Sequence, residues 1–218
     1  MKAKKKIIII ATVPSCFLNL VTGLPHYLSK YYDVTIVTSP GNEIQQIQKY
    51  EGVRVRPILM TRSITPIKDL ISLIKLLSFF LITKPDIIYS FTPKAGLLSM
   101  LAGFFARVPI RIHNVVGLPL MEKQGIVRKI SALSEKVTYF FSTQLLCNSY
   151  GLREYINKNL SKQSIEIIGN GSINGINTEL YKNTLSEIQD WAAENGLQLL
   201  IERPDFEGGE IEYQLFEN

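Results

Sequence analysis

Apolar positions along the first 170 residues alternate between two rhythms. Short runs rich in Ile, Val and Leu, unbroken at Ile7–Ile10 and elsewhere interrupted by a few polar residues such as Arg54, Arg56 and Arg111, fall at 6–12, 33–38, 53–58, 86–90, 110–115, 144–148 and 165–168. Between them lie segments whose apolar residues recur every three to four positions: one from the end of the first run to about Tyr31, then 43–50, 66–83, 93–106, 126–142 and 150–158. A strand that stays apolar at every position is buried on both faces, and segments of helical period between such strands are the crossovers that cover it. The pattern therefore predicts a doubly wound α/β domain, a Rossmann-like parallel sheet, with no internal repeat and no low-complexity segment.

In such sheets ligands bind beyond the carboxyl ends of the strands. Those ends here are rich in Gly, Ser, Thr, Asn and Pro, and they also carry Arg62 and Lys94. Lys94 follows a strand and opens a helix, a position from which it could meet a phosphate with help from the helix N-terminus; an ordinary exposed lysine is the competing reading. Past Tyr181 the character changes. Residues 185–195 read as one acidic helix carrying Trp191, and 197–202 and 210–216 as two strands joined through Pro204 and Gly208-Gly209. Such a tail is too short for a second Rossmann domain.

Charge sharpens the division. Residues 1–178 hold 22 Lys/Arg against 9 Asp/Glu, a formal +13, whereas 179–218 hold 2 against 10, a formal −8. A basic body suits an anionic partner, although a solvated surface accounts for part of it. The basic residues are dispersed without aromatic interleaving, which argues against nucleic acid. The segment 66–83 is interrupted by Lys68, Asp69 and Lys75 and is not a membrane span. Its polar positions 68, 72 and 75 share one narrow stripe, so it reads either as a helix packed on the sheet or as a basic amphipathic surface touching a bilayer. Four lysines before Ile7-Ile8-Ile9-Ile10 imitate a signal peptide, but Pro14, Asn19, Pro25 and His26 interrupt the stretch and no small-residue cleavage site follows; a buried strand suits it better.

Other chemistries are excluded by residue type. Two cysteines, Cys16 and Cys147, make no disulfide framework and suit a reduced compartment, and with only His26 and His113 as histidines no zinc-ligand spacing exists. The chain has no P-loop and no G-x-S-x-G elbow. Gly169-Asn170-Gly171-Ser172-Ile173-Asn174-Gly175 follows a strand, yet its G-x-G-x-x-x-G spacing and late position argue for a turn-rich hinge (Gly169, Asn170, Gly171, Ser172, Gly175) and against a dinucleotide fingerprint.

Three stretches in register carry a resemblance: Thr92-Pro93-Lys94-Ala95-Gly96-Leu97-Leu98, Arg111-Ile112-His113-Asn114-Val115-Val116-Gly117-Leu118-Pro119, and Gly169-Asn170-Gly171-Ser172-Ile173-Asn174-Gly175-Ile176-Asn177. Ser39-Pro40-Gly41 and Thr65-Pro66-Ile67-Lys68-Asp69-Leu70 fit as well. Over about residues 5–181 the chain resembles the bacterial family-4 glycosyltransferases of the GT-B fold that build capsular and O-antigen polysaccharides. The resemblance implies a retaining, metal-independent transfer of sugar from a nucleotide donor to a lipid-linked acceptor, with no cofactor. It makes residues 1–181 the acceptor-side N-terminal domain and 182–218 an acidic appendage. By the same analogy Pro14, Ser15, Cys16, Phe17, Thr92, Lys94, Asn114, Val116 and Gly117 surround the cleft. The basic surface would then lie on anionic lipid at the cytoplasmic side of the plasma membrane.

The chain departs from the family pattern in places. Val116 stands where many relatives carry a histidine before glycine, Tyr89 and Phe91 where histidines often flank the serine or threonine, and Asn177 where Asp is usual. Nothing in 182–218 resembles the donor-binding half. The resemblance thus leads to three expectations: an acceptor-side half inactive alone, an acceptor and membrane-recruiting subunit of a split enzyme whose partner the acidic tail could dock, or a non-catalytic module binding glycan or lipid phosphate. Donor, linkage and catalytic residues are not legible.

Overall fold

The computed structural model describes residues 3–169, 171–175, 197–200 and 214–217. Seven parallel strands form one sheet: β1 (Lys6–Ile10), β2 (Asp33–Thr38), β3 (Arg54–Pro57), β4 (Ile87–Ser90), β5 (Ile110–Val115), β6 (Gln144–Cys147) and β7 (Ile165–Ile167), in the order β3-β2-β1-β4-β5-β6-β7. The doubly wound α/β domain is Rossmann-like, as the sequence pattern predicts. In β1, Ile8 and Ile10 enter one core while Ile7 and Ile9 enter the other, which is why the strand cannot alternate apolar with polar.

Two helix layers follow from this winding. On the first face lie α1 (Ser15–Asn19), α2 (Leu24–Ser29) and α3 (Ile44–Glu51), over a core of Ile9, Phe17, Val21, Ile36 and Ile47. On the second lie α4 (Pro66–Thr83), α5 (Pro93–Phe105), α6 (Gly125–Phe141) and α7 (Tyr150–Asn159). Leu76, Phe80, Leu98 and Met100 fill the core beneath α4 and α5, and Tyr139, Leu145 and Ile156 that beneath α6 and α7. Residues 1–174 form one compact unit and 175–218 another; in the latter, β8 (Leu197–Leu200) and β9 (Gln214–Glu217) pair antiparallel. The acidic helix read at 185–195 lies outside the described residues.

Two elements differ from the sequence reading. The single helix predicted up to Tyr31 is broken at Gly23, whose φ is 78°. The agent is Glu51, wholly buried at the end of α3, whose carboxylate accepts hydrogen bonds from the Gly23 amide at 2.7 Å and the His26 amide at 2.9 Å. A distant residue thereby satisfies the amino end of α2, and no local pattern announces it. The second difference concerns α4. Ser72 is buried, its hydroxyl turned onto backbone carbonyls, while Ile67, Leu70, Ile71 and Ile74 are exposed. Lys68 and Lys75 do reach solvent, but they share the outward side with isoleucines.

Candidate functional site

The chain leaves β1 and β4, which are neighbours, in opposite directions along the sheet, so a crevice opens over their carboxyl ends. Its floor is a pair of threonines. The Thr12 amide donates to Thr92 Oγ1 at 3.0 Å and the two hydroxyls are 2.7 Å apart. Thr92 is the N-cap residue of α5, yet its side chain makes no capping bond, because Thr12 occupies it. The first turn of α5 therefore faces the crevice with backbone amides that no side chain caps.

The loop after β1 divides its residues between packing and cleft. Phe17 is wholly buried in the core, and Pro14 is buried against Gly41, where a Cβ would come within 2.9 Å of Pro14 Cγ. Ser15 and Cys16 are half-buried on α1. Burial pushes the Cys16 thiol up, against weaker opposing pulls from the Val13 backbone and Arg62, so it stays protonated near neutrality.

Lys94 is engaged within the protein. Its ammonium pairs with Asp69 in the first turn of α4, and both side chains are largely buried, with 11% and 17% exposed. Asp69 also accepts from the Thr65 hydroxyl at 3.1 Å and the Thr65 amide at 3.2 Å. Lys94 thus ties the start of α5 to the start of α4, and an anion would have to compete with a carboxylate to claim it.

On β5 the side chains alternate between the faces. Asn114 is buried toward the first face, where its Nδ2 donates to the Tyr89 hydroxyl at 3.2 Å and its Oδ1 has no partner. His113 is buried on the other face, 2.8 Å from the Ser90 hydroxyl through Nδ1. Burial holds its pKa at about 4, so the ring is neutral at physiological pH. The helix above comes close enough that a Cβ on Gly96 would lie 2.5 Å from the imidazole. His113 is therefore a packed ring under α5, not a cleft group.

Val116 and Gly117, half-buried, continue from β5 into the loop. Asn148, just past β6, holds that loop by donating to the Val116 carbonyl at 3.3 Å. Its own carbonyl accepts from the Ser172 amide at 2.8 Å, and Gly171, at φ 94°, passes so close that a Cβ would sit 2.6 Å from the same oxygen. Further on, Asn174 donates to the Thr22 carbonyl at 2.8 Å and Ile173 packs into the first-face core. The glycine-rich stretch read as a hinge is thus strapped across the top of the domain; Gly169 and Gly175, at φ 60° and 68°, carry its bends, and Asn170 lies outside the described residues.

Of these residues Thr12 and Thr92 meet just past β1 and β4, Asn114 lies at the end of β5 with Val116 and Gly117 following it, Ser15 stands on α1, and Phe17 and Pro14 go into packing. Asn148 and the Asp69 partner of Lys94 were not singled out by sequence reasoning. A Thr-x-x-x-Asp spacing at 65–69 was the available signal for the latter, and none exists for Asn148. The lining is mostly neutral hydroxyl, amide and backbone groups, which suit a polyhydroxylated ligand more than chemistry by a strong acid or base.

Comparison with known proteins adds to this geometry. A model of the glycosyl transferase 4-like domain matches residues 16–171. The chain is 36% identical over 189 residues to the capsular polysaccharide biosynthesis glycosyltransferase CapM of Staphylococcus aureus, covering 85% of this chain and 49% of CapM. Among solved structures it is similar to HepE of Anabaena in complex with UDP and glucose, with a TM-score of 0.60 at 16% identity over 88% of this chain and 50% of that one. It is also similar to a UDP-N-acetylglucosamine 2-epimerase of Rickettsia bellii, with a TM-score of 0.56 at 16% identity, covering 88% of this chain and 48% of the epimerase. At such identities the structures show a shared fold alone, and one fold serving a transferase and an epimerase does not decide the reaction. The chain spans about half the length of these relatives.

Proposed function

Because the chain belongs to the glycosyl transferase 4-like family, we propose that residues 1–181 are the acceptor-side half of a GT-B enzyme that transfers sugar from a nucleotide donor to a lipid-linked glycan in surface polysaccharide synthesis. The observation that carries this reading is the family match over 16–171 together with the likeness to CapM. The crevice supports it. Thr12 and Thr92 offer hydroxyls, Asn114 offers an unpartnered carbonyl oxygen, and the first turn of α5 offers amides to a phosphate or a sugar oxygen. Among the described residues neither Cys16 nor His113 serves as a general acid or base there: the Cys16 thiol is pushed up and the His113 ring is buried and neutral.

On this reading the residues described bind and orient the acceptor, bringing its hydroxyl to a donor held by a second domain. Positioning of that kind accounts for a large share of the barrier in a two-substrate transfer. The mechanism is retaining and uses neither metal nor cofactor, the nucleotide sugar entering as substrate, and the chain works from the cytoplasmic face of the plasma membrane without transferring sugar by itself. The opposed charges of 1–178 and 179–218 favour one variation, in which a separate subunit supplies the donor domain and the acidic tail docks it.

The test incubates the purified chain with radiolabelled UDP-sugars and lipid-linked glycan extracted from membranes, with and without the C-terminal half of CapM. Acceptor binding without transfer, and transfer on adding the donor half, is the expected result. Transfer by the chain alone, or no acceptor binding, overturns the assignment.

A further inference from the structure

The crevice lies at the carboxyl ends of the strands, and a second concavity opens toward their amino ends, on the second face of the sheet. Its volume is about 360 Å³, within the roughly 300–1,000 Å³ of small-molecule sites. Strand register explains why it exists. Lys6, Ile8 and Ile10 of β1 share a face with Asp33, Thr35 and Val37 of β2 and with Arg54 and Arg56 of β3. Ile8, Ile10 and Val37 enter the core beneath α4. Thr35 and the arginines stay outside it, Thr35 half-buried and both arginines exposed. Because β3 is the edge of the sheet, a groove remains between this edge and the last turns of α4, with Phe79, Thr83 and Pro85 as its wall. From Lys6 to Thr12, on the crevice floor, β1 and its extension rise about 20 Å, so the two openings are separate.

The charges around this cavity are unbalanced. Its lining holds three cations, Lys6, Arg54 and Arg56, and one carboxylate, Asp33. Asp33 is taken by Arg54, whose Nη2 donates to it at 2.5 Å. Lys6 Nζ donates to the Thr83 carbonyl at 2.8 Å, a neutral partner, and the Arg56 guanidinium stands 6.0 Å from the centroid of the Phe79 ring. Among the described residues neither Lys6 nor Arg56 has a carboxylate partner, which leaves an excess of two positive charges on one small cavity. The remaining lining is uncharged: Ile8, Val55 and Phe79 offer hydrocarbon, Thr35 a hydroxyl and Gln48 an amide. A guanidinium presents a fork of N–H donors that matches phosphate oxygens, and an aromatic ring beside it suits a flat unsaturated body. A plain anion would leave the apolar wall unused, and an uncharged ring would leave the cations unmatched.

We infer that this cavity is a binding site for a small phosphate ester carrying a flat ring, the chemistry of a mononucleotide, with its phosphate on Arg56 and Lys6 and its ring against Phe79 and Ile8. A ligand so placed ties the last turns of α4 to the edge of the sheet. No crevice residue takes part, so the site does not depend on the transfer reaction proposed above.

The test is isothermal titration calorimetry of the full chain with UMP, AMP, phenyl phosphate, uridine and inorganic phosphate. The ring-bearing phosphates should bind about tenfold or more tighter than uridine or inorganic phosphate, each of which lacks one half of the recognition. The ranking among UMP, AMP and phenyl phosphate tells a nucleotide from a simpler aryl phosphate. Three variants, each shown to be folded by circular dichroism, locate the binding. Arg56→Gln with Lys6→Met should weaken it about tenfold or more. Phe79→Leu should weaken the ring-bearing phosphates and leave inorganic phosphate unchanged, and Asn114→Ala, in the crevice, should change neither. Absence of binding by all three ring-bearing phosphates at millimolar concentration overturns the proposal, as does inorganic phosphate binding as tightly as they do. So does binding that survives Arg56→Gln with Lys6→Met, or that Asn114→Ala abolishes. The assay contains neither donor sugar nor acceptor, so its failure is distinct from failure of the transfer reaction.

Discussion

Replacing Glu135 by Gln separates two buried titrations that mask one another in the native protein. The Glu135 carboxyl, 4% exposed, has its pKa pushed up from 4.5 to about 7 by burial, against smaller pulls from the Tyr139 hydroxyl and Lys123. Its Oε2 and the Tyr139 hydroxyl are both buried without a hydrogen-bond partner, and burial favours the protonated acid. Between pH 4.5 and 7 the native state keeps a proton that the unfolded chain has lost, and stability falls as pH rises. His113, 1% exposed, is displaced the other way, from 6.5 to about 4. Between pH 4 and 6.5 the unfolded chain takes a proton that the native state refuses, and stability rises with pH. At about 1.4 kcal/mol per pH unit each contribution amounts to about 3 kcal/mol, and the two nearly cancel over the shared window. Urea unfolding of the wild type and Glu135→Gln from pH 4.5 to 8 measures the difference directly. The variant should gain about 3 kcal/mol relative to the wild type across that range, whatever its offset at the acid end. A difference that stays flat, or declines toward alkaline pH, refutes a buried protonated Glu135.

Further outcomes follow from single contacts. Gly96→Ala gains helix propensity but drives a methyl into the buried His113 ring, and should destabilise by about 1–3 kcal/mol in thermal unfolding; a more stable variant would mean that the ring moves aside easily. Glu51→Ala removes a buried acceptor shared by two amides and should cost about 2–3 kcal/mol, with early hydrogen exchange at Gly23 and His26. In a double-mutant cycle of Asp69→Asn and Lys94→Met the coupling should exceed the 1 kcal/mol ceiling of exposed pairs, because both partners are largely buried; a coupling near zero removes the link between α4 and α5. Asn148→Ala should lower stability by about 1–2 kcal/mol and speed proteolysis near 169–175, since one residue fastens both neighbouring loops. Unchanged cleavage there would show that the strap is held elsewhere.

Much of this protein was determined by the sequence alone. Runs such as Ile7–Ile10 have only one economical placement, a strand buried on both sides, and with helical crossovers between them the parallel sheet follows from burial and chirality. The family resemblance likewise rested on short stretches at strand ends, where local backbone and side chain act together. Partnerships between distant positions were decided only by the tertiary structure. Glu51 breaks the helix predicted up to Tyr31 across 28 positions of chain, Asp69 claims Lys94 across 25, and Asn148 fixes Val116 across 32. The same holds for α4: its composition is that of a packed helix, but whether Ile67, Ile74 and Ile82 meet a core or solvent depends on how many neighbours the sheet provides. A periodic pattern records which residues share a side of a helix, whereas the number of sides that become buried is set by the layers folded against it.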